Sequence, residues 1–147
     1  MASILSAQQK ETPLAKAQGD RDGTRLEVTD LRRGDDGAVT LRMRVYNDHA
    51  DGAIGACDLA DSRHKVADFD TVGGAHLLDY DSRTKYGVDR RANRKCICSQ
   101  GVRINPGTKR NVWAKFTIPD DVEKVTVVVP TFEPVDLTIR PVETADD

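Results

Sequence analysis

The sequence predicts an all-β fold, an antiparallel immunoglobulin-like β-sandwich of about eight or nine short strands. Three observations carry this. The run A-V-T-L-R-M-R-V-Y-N sends Val39, Leu41, Met43 and Val45 one way and Thr40, Arg42, Arg44 and Tyr46 the other. Such period-two alternation belongs to a sheet with one buried and one solvated face. Turn signals then recur every roughly 8–14 residues along the chain, the punctuation of a sandwich. Finally, no βαβ alternation occurs, which argues against a parallel α/β sheet.

Taken in order, residues 1–23 are small and polar and are expected to form a mobile leader. Within it, Pro13-Leu14-Ala15 can pin an edge strand onto the domain. The domain is expected over 24–142, with a short acidic tail at 143–147. T-R-L-E-V-T-D-L opens it, with Leu26 and Val28 on one face. Gly34-Asp35-Asp36-Gly37 predicts a hairpin turn, because Asp-Gly tolerates positive φ. Residues 53–74 read as a long surface connection in which A-I-G-A-C-D-L-A is either a short strand or a turn of helix.

A second hairpin is expected from Ala75–Tyr80 and Thr84–Val88 about Ser82-Arg83. A charged loop, Asp89 to Lys95, leads to a short strand at Cys96–Ser99. Asn105-Pro106-Gly107-Thr108 is a strong turn. N-V-W-A-K-F-T-I follows, with Val112, Ala114, Phe116 and Ile118 inward and Trp113, Lys115 and Thr117 outward. Val125, Val127 and Val129 share one face of the next strand. In the last segment Val135, Leu137 and Ile139 alternate with Asp136, Thr138 and Arg140.

The 147 residues suit one domain with a substantial core. Lys and Arg number 22 against 24 Asp and Glu, for a net charge of −2, so the global balance predicts no nucleic-acid partner. No apolar run reaches the roughly 18 residues of a membrane helix. Met1 to Lys10 lacks a basic n-region and an apolar h-region, so an exported protein would have lost its signal from this chain.

The runs L-E-V-T-D-L-R-R-G-D-D-G-A-V-T-L-R-M-R-V-Y-N, D-Y-D-S-R-T-K-Y-G-V-D-R-R-A-N-R-K-C-I-C-S, N-P-G-T, W-A-K-F-T-I-P and V-T-V-V-V-P-T-F together resemble a family. It is that of small immunoglobulin-like β-sandwich domains in exported actinobacterial envelope proteins and lipoproteins. Some of these precede a peptidoglycan-binding domain of the outer-membrane-protein-A type. The resemblance spans Pro13 to Val142, and its most specific part is Asp79, Lys85, Tyr86, Cys96, Cys98 and Ser99. It implies an exported, non-enzymatic, cofactor-free interaction or structural module at the cell envelope. This chain departs from the pattern in lacking a lipobox cysteine and in carrying Cys57 within residues 53–74.

Three cysteines leave the pairing among Cys57, Cys96 and Cys98 open. In an extended strand, C-x-C partners stand near the upper Cα limit for a disulfide, so a Cys96–Cys98 bridge requires local bending and is expected to be strained and easily reduced. A redox or soft-metal pair is the functional alternative, but His49, His64 and His76 stand at no motif spacing and no metal ligand is assigned. The loop pairs Asp58/Asp61, Asp68/Asp70 and Asp79/Asp81 offer hard oxygens without an EF-hand spacing. No hydrolase, P-loop or zincin motif occurs, and no catalytic residue is assigned.

The basic stretch Arg83, Lys85, Arg90, Arg91, Arg94 and Lys95, with Tyr86 and Trp113, is the expected contact surface for a protein or an anionic cell-wall component. If Tyr86 and Trp113 share a face, that face packs under residues 53–74 or meets a partner. A small metal- or redox-responsive protein and a cytosolic assembly subunit are the alternatives.

Overall fold

The computed structural model describes residues 12–49, 51–55, 58–60 and 70–142. Among these, ten strands form: β1 (Ala15–Gln18), β2 (Thr24–Arg33), β3 (Ala38–Asn47), β4 (Ile54–Gly55), β5 (His76–Asp79), β6 (Thr84–Gly87), β7 (Arg103–Ile104), β8 (Thr108–Thr117), β9 (Lys124–Val128) and β10 (Val135–Thr138). One sheet has the order β1-β2-β3-β8 and the second β10-β9-β5-β6, with β4 and β7 as a small separate pair. All ladder pairings are antiparallel. The expected all-β sandwich is therefore present, with the strand count raised by β1 and the two-residue pieces β4 and β7.

The first sheet is built on β3, paired along its whole length with β8 and nearly so with β2. Val39, Leu41, Met43 and Val45 are buried, as the alternation requires, and so are Val112, Ala114, Phe116 and Ile118 of β8 and the segment after it. From the second sheet come Leu77, Val125 and Val127, and all belong to one contiguous core. Strict alternation in β2 would turn Asp30 inward after Val28. A bulge between Val28 and Asp30 resets the register, so that Val28 and Leu31 are both buried and Asp30 pairs outward with Arg42.

The turns are those expected. Gly37 (φ 81°) closes β2–β3 and Gly107 (φ 80°) precedes β8, both in the left-handed region where a side chain is strained. The boundary expected at Thr24 is shifted. Residues 15–18 of the predicted leader form β1 against β2, and the sandwich begins before Thr24. The rest of that leader as far as residue 11, the tail at 143–147 and residues 56–57 and 61–69 of the long connection lie outside the described residues. Within the ambiguous run at 53–60, Ile54–Gly55 is strand, while residues 56–57 lie outside the described residues.

Both open sides of the sandwich are laced by main-chain bonds. On one, Asp20 N–H donates to Thr131 O (2.8 Å) and Glu133 N–H to Gln18 O (2.9 Å). On the other, Asp89 N–H donates to Lys115 O (2.8 Å) as the chain leaves β6 for the edge of β8. At one end, the Arg33 guanidinium donates to the carbonyls of Ile118, Pro119 and Val122, tying the β8–β9 connection to β2. Asn47, fully buried, donates to Gly52 O and Ile104 O and accepts from His49 N–H, so its amide is satisfied.

The packing sets a contrast that urea unfolding can measure. Phe116→Ala should destabilise the domain by about 3–5 kcal/mol, while Arg42→Ala, on the exposed side of β3, should change it by less than ~0.5 kcal/mol. In the β2–β3 turn, the Asp36 carboxylate accepts from Ala38 N–H (3.0 Å) and then from Lys115 Nζ (3.3 Å), and these hold its pKa below the ordinary value. A lowered folded pKa adds stability above the unfolded value and loses it as pH falls through the folded one. An NMR titration should find Asp36 ionised below the ordinary carboxylate range, and Asp36→Asn should remove the acid-dependent shift of the Ala38 amide that donates to it.

Candidate binding surface

The basic stretch of the sequence is spread along the β5–β6 hairpin and the turn that follows it. Arg83 sits at the tip of the β5–β6 hairpin with φ 56°. Lys85 is exposed on β6 opposite Leu78, while Tyr86 beside it turns inward and packs on the core. Arg90 is half-buried and structural: its guanidinium donates to Arg94 O (2.8 Å) and Gly73 O (3.3 Å). Arg91, Arg94 and Lys95 are exposed on the following turn, which is closed by Arg91 N–H to Lys95 O and Arg94 N–H to Arg91 O, each 2.9 Å. The four residues of β6, about 13 Å of extended strand, separate Arg83 from the segment carrying that turn.

Trp113 lies on the outward side of β8, half-buried opposite Arg42. It therefore does not share a face with Tyr86. The physical reason is the register: each ring sits on a different sheet, and Tyr86 points toward the core between them.

What the fold does assemble is the outer face of the first sheet. Registered pairs place Arg25, Tyr46 and Lys109 in one row; Lys16, Glu27, Arg44 and Asn111 in the next; then Asp30, Arg42 and Trp113; then Arg32, Thr40 and Lys115. Cations exceed the two carboxylates of these rows, Glu27 and Asp30. The Arg25 guanidinium lies 3.9 Å from the Tyr46 ring centroid, and the Tyr46 hydroxyl donates to Glu27 (2.9 Å). Arg44 donates to Asn111 Oδ1 (2.9 Å). Asp30 is shared between Arg32 (3.2 Å) and Arg140 (3.4 Å). Arg42 is exposed and forms no ion pair with a described residue. A depression of about 290 Å³ opens between Arg42, Arg44, Asn111 and Trp113. The sequence signal for this face is the outward set of β3; the register that places β2 and β8 cations beside it carries no such signal.

Cys96 and Cys98 have their sulfurs at bonding distance and Cα atoms 5.3 Å apart. Only isolated bridges form here, Arg90 with Cys96 and Cys98 with Ala114, in place of the regular strand expected. The segment nevertheless covers the β8 edge: Lys115 N–H donates to Ile97 O (3.0 Å) and Ser99 N–H to Trp113 O (2.9 Å). Both cysteines are buried, at 2% and 4% exposure, and Gln100 Nε2 caps them, donating to Cys96 O and Sγ and to Cys98 O. Cys57, Asp61, His64 and Asp68 lie outside the described residues. His49 bonds Asp22 O and His76 bonds Gly74 O through Nδ1. Among the described residues no three His, Cys, Asp or Glu side chains converge as a metal site, and no helix is long and apolar enough to cross a membrane. Asp79 is buried and spends its oxygens on its own turn, accepting from Asp81 N–H (3.1 Å) and Ser82 Oγ (2.7 Å).

Comparison with family models, curated proteins and solved structures finds no match to this chain.

With two of three cysteines joined, a thiol assay on unreduced, denatured protein should count one free thiol per chain, and peptide mapping should place the bridge within the Cys96–Cys98 peptide. Three free thiols, or a bridge to Cys57, would contradict this pairing.

Proposed function

We propose that this chain is an immunoglobulin-like module of the bacterial cell envelope that works by binding rather than catalysis, with an anionic envelope component as its partner. The observation that carries the reading is the segregation of charge. On a protein of net charge −2, the outer face of the β1-β2-β3-β8 sheet gathers Lys16, Arg25, Arg42, Arg44 and Lys109 beside a shallow depression. A local cationic field of this kind attracts a polyanion even where the whole molecule does not. The turn carrying Arg91, Arg94 and Lys95 continues the field from the β8 edge, where Asp89 and Ile97 bond Lys115.

The Cys96–Cys98 pair supports an oxidising compartment, since disulfides persist mainly outside the reducing cytosol. Burial of both sulfurs favours a structural bridge over a redox-responsive one, because exchange requires access for an attacking thiolate. The likeness to exported actinobacterial envelope domains points the same way.

Co-sedimentation with purified cell walls tests the reading. Binding should weaken steeply as salt rises from about 50 to 300 mM, as expected for exposed charges screened over a shrinking Debye length. Arg42→Glu with Lys109→Glu, both exposed positions, should reduce binding about tenfold or more with the melting temperature retained, while Arg83→Glu should leave it within about twofold. Salt-independent binding, or a double variant that binds like the native chain, would rule the basic face out.

A further inference from the structure

The second sheet carries a concavity of a different chemistry. It measures about 540 Å³, within the range of small-molecule sites of about 300–1,000 Å³. Its floor is the outward side of three adjacent strands. Leu78 pairs with Thr126, and Thr126 with Asp136; Lys124 pairs with Thr138 further along, and Tyr80 stands two residues beyond Leu78. Tyr80 is 70% exposed, so an aromatic ring stands open to solvent at the rim. Asp81 and Asp136 add carboxylates, and neither forms an ion pair with a described residue.

We propose that this concavity binds a neutral sugar unit of a glycan. The ring face of Tyr80 and the Leu78 side chain offer an apolar platform for the C–H face of a pyranose. The carboxylates accept hydrogen bonds from sugar hydroxyls, and Lys124 donates to them. An anion would meet the carboxylates of Asp81 and Asp136, with Asp79 behind them bonded to its own turn, against one ammonium, and a cation would meet Lys124 in the same wall. A ligand carrying many hydroxyls and no charge matches both sets of groups. The site is also held in shape before any ligand arrives. Thr126 Oγ1 donates to Asp136 Oδ1 (2.6 Å), fixing that carboxylate. The turn bearing Tyr80 and Asp81 is fixed by the buried Asp79 carboxylate and by Arg83 N–H donating to Tyr80 O (3.3 Å). Such preorganisation lowers the ordering cost that weakens shallow sites.

The test is a ¹H–¹⁵N NMR titration of the full chain with chitotriose, cellotriose and maltotriose, with tetramethylammonium and inorganic phosphate as ionic probes. At least one trisaccharide should shift amides at Leu78–Asp81, Lys124–Thr126 and Asp136–Thr138 and saturate at millimolar concentration. Tyr80→Ala should weaken that binding by about tenfold or more with the melting temperature retained, and Tyr80→Phe, which keeps the ring face, should stay within about threefold. The proposal is overturned if no trisaccharide produces these shifts, if tetramethylammonium or phosphate produces them instead, or if Tyr80→Ala binds like the native chain. Its failure would leave the basic face untouched, since the residues belong to opposite sheets and the wall-binding assay reads other side chains.

Discussion

The alternation of β3 is the constraint on which the rest of the molecule depends. This strand is bonded on both sides, to β2 and to β8, so its register fixes theirs. Val39, Leu41, Met43 and Val45 supply the middle of the core from it. Because side chains alternate with a period of two, a slip of one residue would place Arg42 and Arg44 in the interior, where unpaired charges are costly. The same register that buries the valines therefore also delivers the guanidinium groups to solvent. Core and basic face are two consequences of one pattern.

A sandwich exposes strand edges that must be managed, and this one closes them with chain rather than with charge alone. The β8 edge is covered by the segment from Cys96 to Ser99, in which Ile97 and Ser99 bond Lys115 and Trp113. The two cysteines flank Ile97, and Gln100 binds both of their carbonyls, so the bridge and its cap fix the bend of the covering segment, which the bonds from Ile97 and Ser99 then hold to the edge. The β2 edge beyond β1 is filled by the chain just after β10: Arg140 N–H donates to Leu31 O and Arg33 N–H to Arg140 O. That pairing becomes accessible because β1 pairs only as far as Val28, just before the bulge.

Strands whose burial is set by their own sequence were legible. β3, β8 and β9 show their inward residues directly, and the Gly37 and Gly107 turns follow from residues that tolerate positive φ. The features that were missed, or foreseen only in part as with the edge strand at Pro13-Leu14-Ala15 and the short strand near Ile54, depend on a partner distant in sequence. β1 has four residues and only Ala17 fully buried, so its strand character comes from the β2 edge it completes. β4 and β7 are two residues each and exist because they find one another. The bulge at Val28–Asp30 is invisible to any count of alternation and is revealed by the register alone. At the site, a cluster contiguous in sequence was divided, Tyr86 turning to the core and Arg90 to the carbonyls of Gly73 and Arg94. Cations far apart in sequence, from Lys16 to Lys109, were gathered by register onto one face.

The two outer faces differ in how they use aromatic rings, and this difference separates their chemistry. On the first sheet Tyr46 is committed: Arg25 lies over its ring and Glu27 takes its hydroxyl. Trp113 is half-buried beside Arg42. What that face presents outward is charge, and its attraction is long-range and sensitive to salt. On the second sheet Tyr80 is uncommitted, and what it offers a ligand is an apolar ring that acts at contact, beside carboxylates and one ammonium. Two packed sheets stand about 10 Å apart, so a ligand on one face touches nothing on the other. The sandwich thus keeps a charge-driven surface and a contact-driven one apart, with a rigid core between them, and each can be altered at exposed positions without disturbing the packing that holds both.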